Sequence, residues 1–209
     1  MPDTVLLTGF TPFDGGTINP SWEAVRRVAA AGTGDLRAVE IRTSFASAIG
    51  ELEAAITEHR PRWVICVGLA PGRSAITPER VAINVNDARI TDNDGAQPSD
   101  VPVVADGPAA YFSTLPIKAS VAALHAAGLP AAVSNTAGTF VCNNIFYGLM
   151  HLIETRHPGL RGGFVHVPFA PEQVPDGSRP SMAIDDIARG LGIIVDACLA
   201  TADEPAAAR

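Results

Sequence analysis

The sequence predicts an α/β fold built on a mostly parallel sheet, and three observations carry that prediction. Trp63-Val64-Ile65-Cys66-Val67-Gly68 and Gly163-Phe164-Val165-His166-Val167 are continuous apolar runs of strand length, the pattern of strands buried on both faces. Segments with helically spaced apolar residues alternate with such runs along the chain. Turn-forming residues follow the runs on their carboxyl side, where open α/β sheets bind ligands.

Taken in order, Val5-Leu6-Leu7 is a short buried strand that runs into the loop Thr8-Gly9-Phe10-Thr11-Pro12-Phe13-Asp14-Gly15-Gly16. Asn19 reads as a helix N-cap with Pro20 at the first helical position, and the helix extends to about Ala31. Leu36 to Thr43 alternates and predicts a second strand. Ser44 to about His59 predicts a helix, stopped by Pro61. The strand from Trp63 leads into the loop Leu69-Ala70-Pro71-Gly72-Arg73-Ser74. Thr77 to Val85 predicts a further strand, on which Glu79 shares a face with Val81, Ile83 and Val85. Asp87 to Ala105 is a long polar loop or hairpin, a length that in a compact domain tends to serve function. Lys118 to Ala127 is a helix ended by Gly128, and Ala131 to Val133 is a strand. A helix follows from Cys142 to about Arg156, then the strand containing His166, then a final helix over Ser181 to Ala200. Residues 204–209 read as a frayed tail of a single domain spanning 1–209.

Composition narrows the function classes. A chain of 209 residues with 47% hydrophobic and 18% charged residues can bury a real core. Its net charge of −7 speaks against nucleic acid and anionic membranes, which call for a basic face. No run of about 20 apolar residues is present, so no membrane span is expected. The start, Met1-Pro2-Asp3-Thr4, lacks the basic region of a secretory signal. Cys66, Cys142 and Cys198 are odd in number and widely spaced. That pattern predicts neither a disulfide framework nor a zinc site, and suits a reducing cytoplasm. The Gly-rich loop after the first strand lacks both the P-loop Gly-Lys-Ser/Thr ending and the G-x-G-x-x-G fingerprint. Asp92, Asn93 and Asp94 lack calcium-loop spacing, so no metal is expected.

Chemistry concentrates around Ser134 to Leu149. Cys142 lies where a Ser/Thr/Asn/Gly turn becomes a helix. Unpaired amides and the helix dipole there favour a thiolate, with such thiols titrating at roughly 3.5–7.5 instead of about 8.5. A thiolate is a nucleophile, and the same amides can hold an oxyanion. The competing reading is an inert buried cysteine. His166 is the only polar side chain in its apolar strand, and shares the carboxyl edge of the sheet with the Cys142 turn. His59, His125, His151 and His157 lie in or near helices. Glu79 on an apolar face requires a partner. Arg80 points the other way, so a histidine is one candidate; the alternative is a strand-end carboxylate reaching solvent. Phe10 and Phe13 at the end of the first strand are either a pocket wall or loop-closing core. Cys142, His166 and Glu79 together would supply a nucleophile, a base and an orienting group. A catalytically silent binding protein and a thiol redox protein are the competing functions.

Three blocks carry a family resemblance: Gly9-Phe10-Thr11-Pro12-Phe13 with Asn19-Pro20-Ser21-Trp22-Glu23-Ala24-Val25; Thr77-Pro78-Glu79-Arg80-Val81-Ala82-Ile83-Asn84 through Asp87-Ala88-Arg89-Ile90; and Thr136-Ala137-Gly138-Thr139-Phe140-Val141-Cys142-Asn143 with Arg161 to Pro168. In these the chain closely resembles the pyroglutamyl peptidase I family of cysteine peptidases over nearly its whole length. The resemblance implies a three-layer α/β/α sandwich and a Glu79–Cys142–His166 triad. It implies removal of N-terminal pyroglutamate from peptides, no cofactor, a cytoplasmic enzyme and commonly a homotetramer. Phe10 and Phe13 match the pocket for the lactam ring, with Phe140 and Val141 nearby; Asn19 and Leu69 are counted with it. Arg89 matches an arginine near the active site. Leu69, Pro71 and Asn144 stand where relatives often have Gln, Gly and His.

Overall fold

Five strands form the central sheet in the order β2-β1-β3-β7-β4. A computed structural model describes residues 4–31 and 35–201; the tail expected at 204–209 lies outside them. The sheet strands are β1 (Val5–Phe10), β2 (Leu36–Ile41), β3 (Trp63–Leu69), β4 (Thr77–Pro78) and β7 (Arg161–Val167). All pairings are parallel except the short edge strand β4 against β7. A second, two-stranded sheet pairs β5 (Val81–Ile83) with β6 (Ala110–Phe112).

Period-2 alternation sorts the strands' side chains into two cores, because successive residues face opposite sides. Val5, Leu7, Trp63, Ile65, Val67, Val165 and Val167 join one cluster with α1 (Pro20–Ala30), α3 (Ile117–Ala126) and α5 (Ile184–Ala200). Leu6, Phe10, Val64, Cys66 and Phe164 join the other with α2 (Ala48–His59) and α4 (Val141–Thr155). The fold is therefore an α/β/α sandwich with a mostly parallel sheet, as expected. Asn19 caps α1 by accepting from the Ser21 amide, with Pro20 behind it.

Several expected elements change. The strand expected over Thr77–Val85 is two strands in two sheets. Pro78 offers no amide to a ladder, which suits an edge strand and ends it there. Beyond the break the phase shifts: Ala82 is buried while Val81 and Ile83 are half-buried, so Glu79 does not share their face. Ala131–Val133 forms isolated bridges, Ile76 with Ala131 and Glu79 with Ser134, in place of a ladder strand. The second helix starts at Ala48 because the Ser44 hydroxyl holds the amides of Ala46 and Ser47 in a preceding turn. The last helix starts at Ile184, not Ser181, and β3 takes in Leu69.

Candidate active site

The carboxyl ends of β1, β3 and β7 meet the start of α4 at a cavity of about 400 Å³. Helix α4 opens at Val141 after an extended Phe140, with no side-chain cap. Its first-turn amides therefore face the cavity region without a capping oxygen from their own helix. Cys142 is the second residue of that turn, half-buried and in the free thiol form.

The position of the sulfur follows from strand register. Gly68 of β3 is the register partner of His166 on β7. A Cβ built on Gly68 would stand 2.8 Å from Cys142 Sγ and 2.7 Å from Phe164 Cζ. The sulfur thus rests over a bare Cα, one strand spacing from the histidine's. Phe164 cannot yield, since its ring is packed against Phe10, Phe146 and His166 at centroid distances of 6.4, 5.9 and 4.8 Å. Gly68→Ala is expected to cost about 1–3 kcal/mol of stability by overpacking. It should also lower activity by roughly 10²-fold, because displacing the sulfur by about 1 Å breaks its alignment. Thermal unfolding and steady-state kinetics on the same preparation check both.

Behind the cavity His166 is 4% exposed and Glu79 is 0% exposed. His166 Nδ1 and Glu79 Oε1 are 2.7 Å apart. Burial raises the Glu79 carboxyl, but the His166 hydrogen bond and charge, the nearby Ser134 hydroxyl and the Arg73 charge together outweigh it and hold the group below its ordinary value. An ionised carboxylate only accepts, so the proton of the pair sits on Nδ1 and the lone pair on Nε2. Burial lowers His166 more than Glu79 raises it, so the imidazole is neutral at rest. Glu79 Oε2 has no hydrogen-bond partner among the described residues. The nearby Ser134 hydroxyl is turned to Thr136 O at 3.1 Å.

The thiol differs from its sequence-based expectation. Burial pushes Cys142 up to about 12, and the Glu79 charge adds to this; Arg73 and the Cys142 amide pull the other way. The helix terminus contributes only a partial charge, whereas desolvation acts on the full charge of the thiolate. The resting site is thus a neutral thiol beside a neutral imidazole.

Phe13, Phe140 and Phe45 build an aromatic wall, with Phe140 6.1 Å from Phe13 and edge-on to Phe45 at 5.2 Å. Phe10, Phe13, Asn19, Leu69, Arg89, Phe140 and Val141 all line the cavity, as do Arg73, Cys142 and His166; Glu79 does not line it and meets it through His166 and Arg73. Asn19 is buried and engaged, donating to Thr11 O and accepting from Ser21, so it shapes the loop. Arg89 is exposed at the rim beside Asp87 and Ile90. The long loop is therefore a cavity wall. Asp92 within it is a buried acceptor for the amides of Phe45, Asp94 and Ala96 at 2.8, 2.9 and 2.8 Å. Asn93 donates to Thr11 Oγ1 and Pro12 O, pinning the aromatic loop after β1. Asn143, next to the cysteine, clamps the chain by accepting from the Ile83 amide and donating to Ile83 O and Val85 O. Of the positions that depart from the family pattern, Leu69 and Pro71 line the cavity, while Asn144 is buried and donates to Asn86. No group of three metal-ligating side chains occurs among the described residues, and no helix there is long and apolar enough to cross a membrane.

Two contributors escaped sequence reading. Gly68 looked like the end of an apolar run. Arg73 sat in a Pro/Gly loop without periodicity; its signal was the unpaired carboxylate of Glu79, which needed a cation from elsewhere.

A thiol at a helix start, beside an imidazole tied to a carboxylate, on the carboxyl edge of a parallel sheet, is the arrangement of a cysteine-type hydrolase. The sequence profile described as Pyroglutamyl peptidase matches residues 3–201. A pyrrolidone-carboxylate peptidase of Streptomyces coelicolor is 56% identical over 202 residues, covering 96% of this chain and 94% of its own. One from Bacillus subtilis is 53% identical over 195 residues, covering 92% and 91%. The crystal structure of Bacillus amyloliquefaciens pyroglutamyl peptidase I superposes with a TM-score of 0.93 at 50% identity, covering 97% of this chain and 100% of that one. A mutant pyrrolidone carboxyl peptidase from Pyrococcus furiosus gives 0.89 at 39% identity, covering 94% and 98%. The chain belongs to the pyroglutamyl peptidase family.

Proposed function

We propose that this protein hydrolyses the bond between an N-terminal pyroglutamyl residue and the next residue of a peptide, with Cys142, His166 and Glu79 as its triad. One observation carries the reading: a carboxylate-bound histidine and a cysteine open onto one cavity walled by phenylalanines. Its volume of about 400 Å³ falls within the range of small-molecule sites, roughly 300–1,000 Å³. A neutral lactam suits such a wall. The only carboxylate among the described residues lining it, Asp87, is exposed, and no buried acid lines it to receive a free amino terminus.

His166 Nε2 takes the Cys142 proton as sulfur attacks the acyl carbon, and the carbonyl electrons move to oxygen. The Cys142 amide and a neighbouring donor hold that oxyanion, where loss of one donor costs roughly 3 kcal/mol. The imidazolium, stabilised by Glu79, gives its proton to the departing amine as the carbon–nitrogen bond breaks. Water then attacks the thioester with His166 as base, releasing pyroglutamate and restoring the thiol. Such proton transfers are worth about 10²–10⁴-fold. Because the resting imidazole must be neutral, activity falls as pH drops through the His166 pKa, which burial keeps below its ordinary value. A cytoplasmic homotetramer is the setting carried over from the family resemblance.

The test compares release of a fluorescent amine from a pyroglutamyl amide and from the prolyl amide, which has the ring but a charged amine in place of the lactam. Turnover of the first with little or none of the second is expected. Equal turnover of both, or none of either by folded and reduced protein, overturns the reading.

A further inference from the structure

We infer that Arg73 is a positioning residue for the reaction, holding Glu79 to His166 and tying that pair to the turn that carries the nucleophile. The inference rests on the triad reading above. Its ground is a three-point contact. Arg73 Nη1 donates to Glu79 Oε1 at 2.7 Å and also to Thr77 Oγ1, and Nη2 donates to Thr136 O at 3.0 Å. Oε1 is the same oxygen that meets His166 Nδ1 at 2.7 Å, so one carboxylate oxygen takes both donors. Thr136 opens the Thr136–Phe140 turn leading into α4 and Cys142. The guanidinium therefore spans the base assembly and the nucleophile's approach.

The geometry of the fork matters. A guanidinium presents several donors in a fixed plane, whereas an ammonium is a single point charge on a flexible stem. Only the fork can hold Glu79 and the Thr136 carbonyl together. The contact is also well sheltered: the Arg73 side chain is 26% exposed against 0% for Glu79, so water screens it less than a surface pair. Both charged donors, His166 and Arg73, meet the same oxygen Oε1, and the Ser134 hydroxyl acts on the carboxylate as well, so Arg73 shares its orientation with these two groups.

A charge so placed has a directional effect on the catalytic groups. Sharing Glu79 with Arg73 leaves less negative charge to stabilise imidazolium, which lowers the proton affinity of His166, and the same cation favours a negative sulfur. The imidazolium formed during attack is then readier to pass its proton to the departing amine. Neutralising position 73 should move His166 titration, and with it the acid limb of kcat/KM, to higher pH. A lysine should leave that limb in place.

Arg73→Met and Arg73→Lys, with Cys142→Ala as control, test the inference through pyroglutamyl-amide kinetics across pH. NMR titration of the His166 ring in ¹³C-histidine protein, assigned by its absence from His166→Ala, gives a readout independent of turnover. Arg73→Met is expected to lose on the order of 10–100-fold in kcat, by analogy with removal of the hydrogen-bond partner that orients a metal-ligating histidine. KM should stay near its parent value and both titrations should move to higher pH. Arg73→Lys should lose kcat as well, since one ammonium cannot make both contacts, but keep the parent acid limb. Parent kcat in Arg73→Lys overturns the inference, and this arm stands even where Arg73→Met does not fold. Equal losses in both variants with an unmoved His166 titration also overturn it, since that marks a purely structural arginine. Parent-like hydrolysis by Cys142→Ala brings down the triad reading itself; an inactive Cys142→Ala beside an unaltered Arg73→Met brings down this inference alone.

Discussion

Cys142→Ala is expected to abolish amine release from a pyroglutamyl amide, with kcat falling on the order of 10⁶-fold, as for loss of a triad nucleophile. The size of the effect follows from what would remain. Without sulfur there is no covalent route, and the helix-start amides, His166 and the aromatic wall can only polarise a carbonyl that nothing attacks. The fold should tolerate the change. The side chain is small and half-buried, and the core around it is supplied by Val141, Ile145 and Phe146, each 0% exposed. Far-UV circular dichroism and thermal unfolding close to the parent's, together with lost turnover, make the expected result. Alkylation by iodoacetamide adds a second measurement. Cys66 and Cys198 are each 0% exposed, whereas Cys142 is half-buried and lines the cavity. Labelling of the folded parent should therefore be confined to Cys142 and vanish in the variant. Turnover persisting in Cys142→Ala would remove the thiol from the mechanism.

Glu79→Gln is expected to lower kcat by roughly 10³–10⁴-fold while leaving the cysteine in place, by analogy with loss of the orienting acid in a serine triad. The substitution keeps shape and removes charge. A neutral amide no longer requires the proton on His166 Nδ1, so the ring can turn or change tautomer and present an N–H to the sulfur. The imidazolium formed during attack loses its counter-charge as well. Stability should also suffer, because Arg73 keeps its cation beside a neutral group; breaking a buried pair from one side costs about 3–5 kcal/mol, and the 26% exposure of Arg73 places this case below that range. The pH dependence has a definite sign. Glu79 titrates below its ordinary value in the folded chain, so its stabilisation is present above the unfolded pKa and is lost as pH falls through the folded one. In Glu79→Gln this acid-labile part should be missing, flattening the loss of Tm on acidification. A parent-like kcat in the variant would exclude Glu79 from the chemistry.

Much of the site was legible in the chain because local rules govern it. The apolar run around Cys66 and the one around His166 could only be buried strands, and a lone histidine in such a strand had to be satisfied by something. Asn19 followed by Pro20 announced a helix start, and the Ser/Thr/Asn/Gly turn before Cys142 announced another. Glu79 demanded a partner, and His166 answers it. Where the local reading went wrong, non-local contacts decided. Pro78 ends an edge strand, which sends Val81–Ile83 to pair with Ala110–Phe112 and breaks the alternation expected after Glu79. Ala131–Val133 had strand composition and runs beside Ile76–Arg80, but Pro78 has no amide to donate to it, so the pairing is limited to isolated bridges of Ile76 with Ala131 and Glu79 with Ser134.

By itself the sequence determined the α/β class, the edge at which chemistry would occur, and the residue types that would meet there, since periodicity, capping and burial of polar groups are properties of neighbouring residues. Tertiary structure alone decided the rest. The register of β3 against β7 sets Gly68 beside His166 and so seats the sulfur. The path of the loop after β3 delivers Arg73 to Glu79. The depth of the cavity makes desolvation outweigh the helix dipole at Cys142. These depend on distances between segments far apart in the chain, and on how little water lies between them, and no local pattern of residues encodes either.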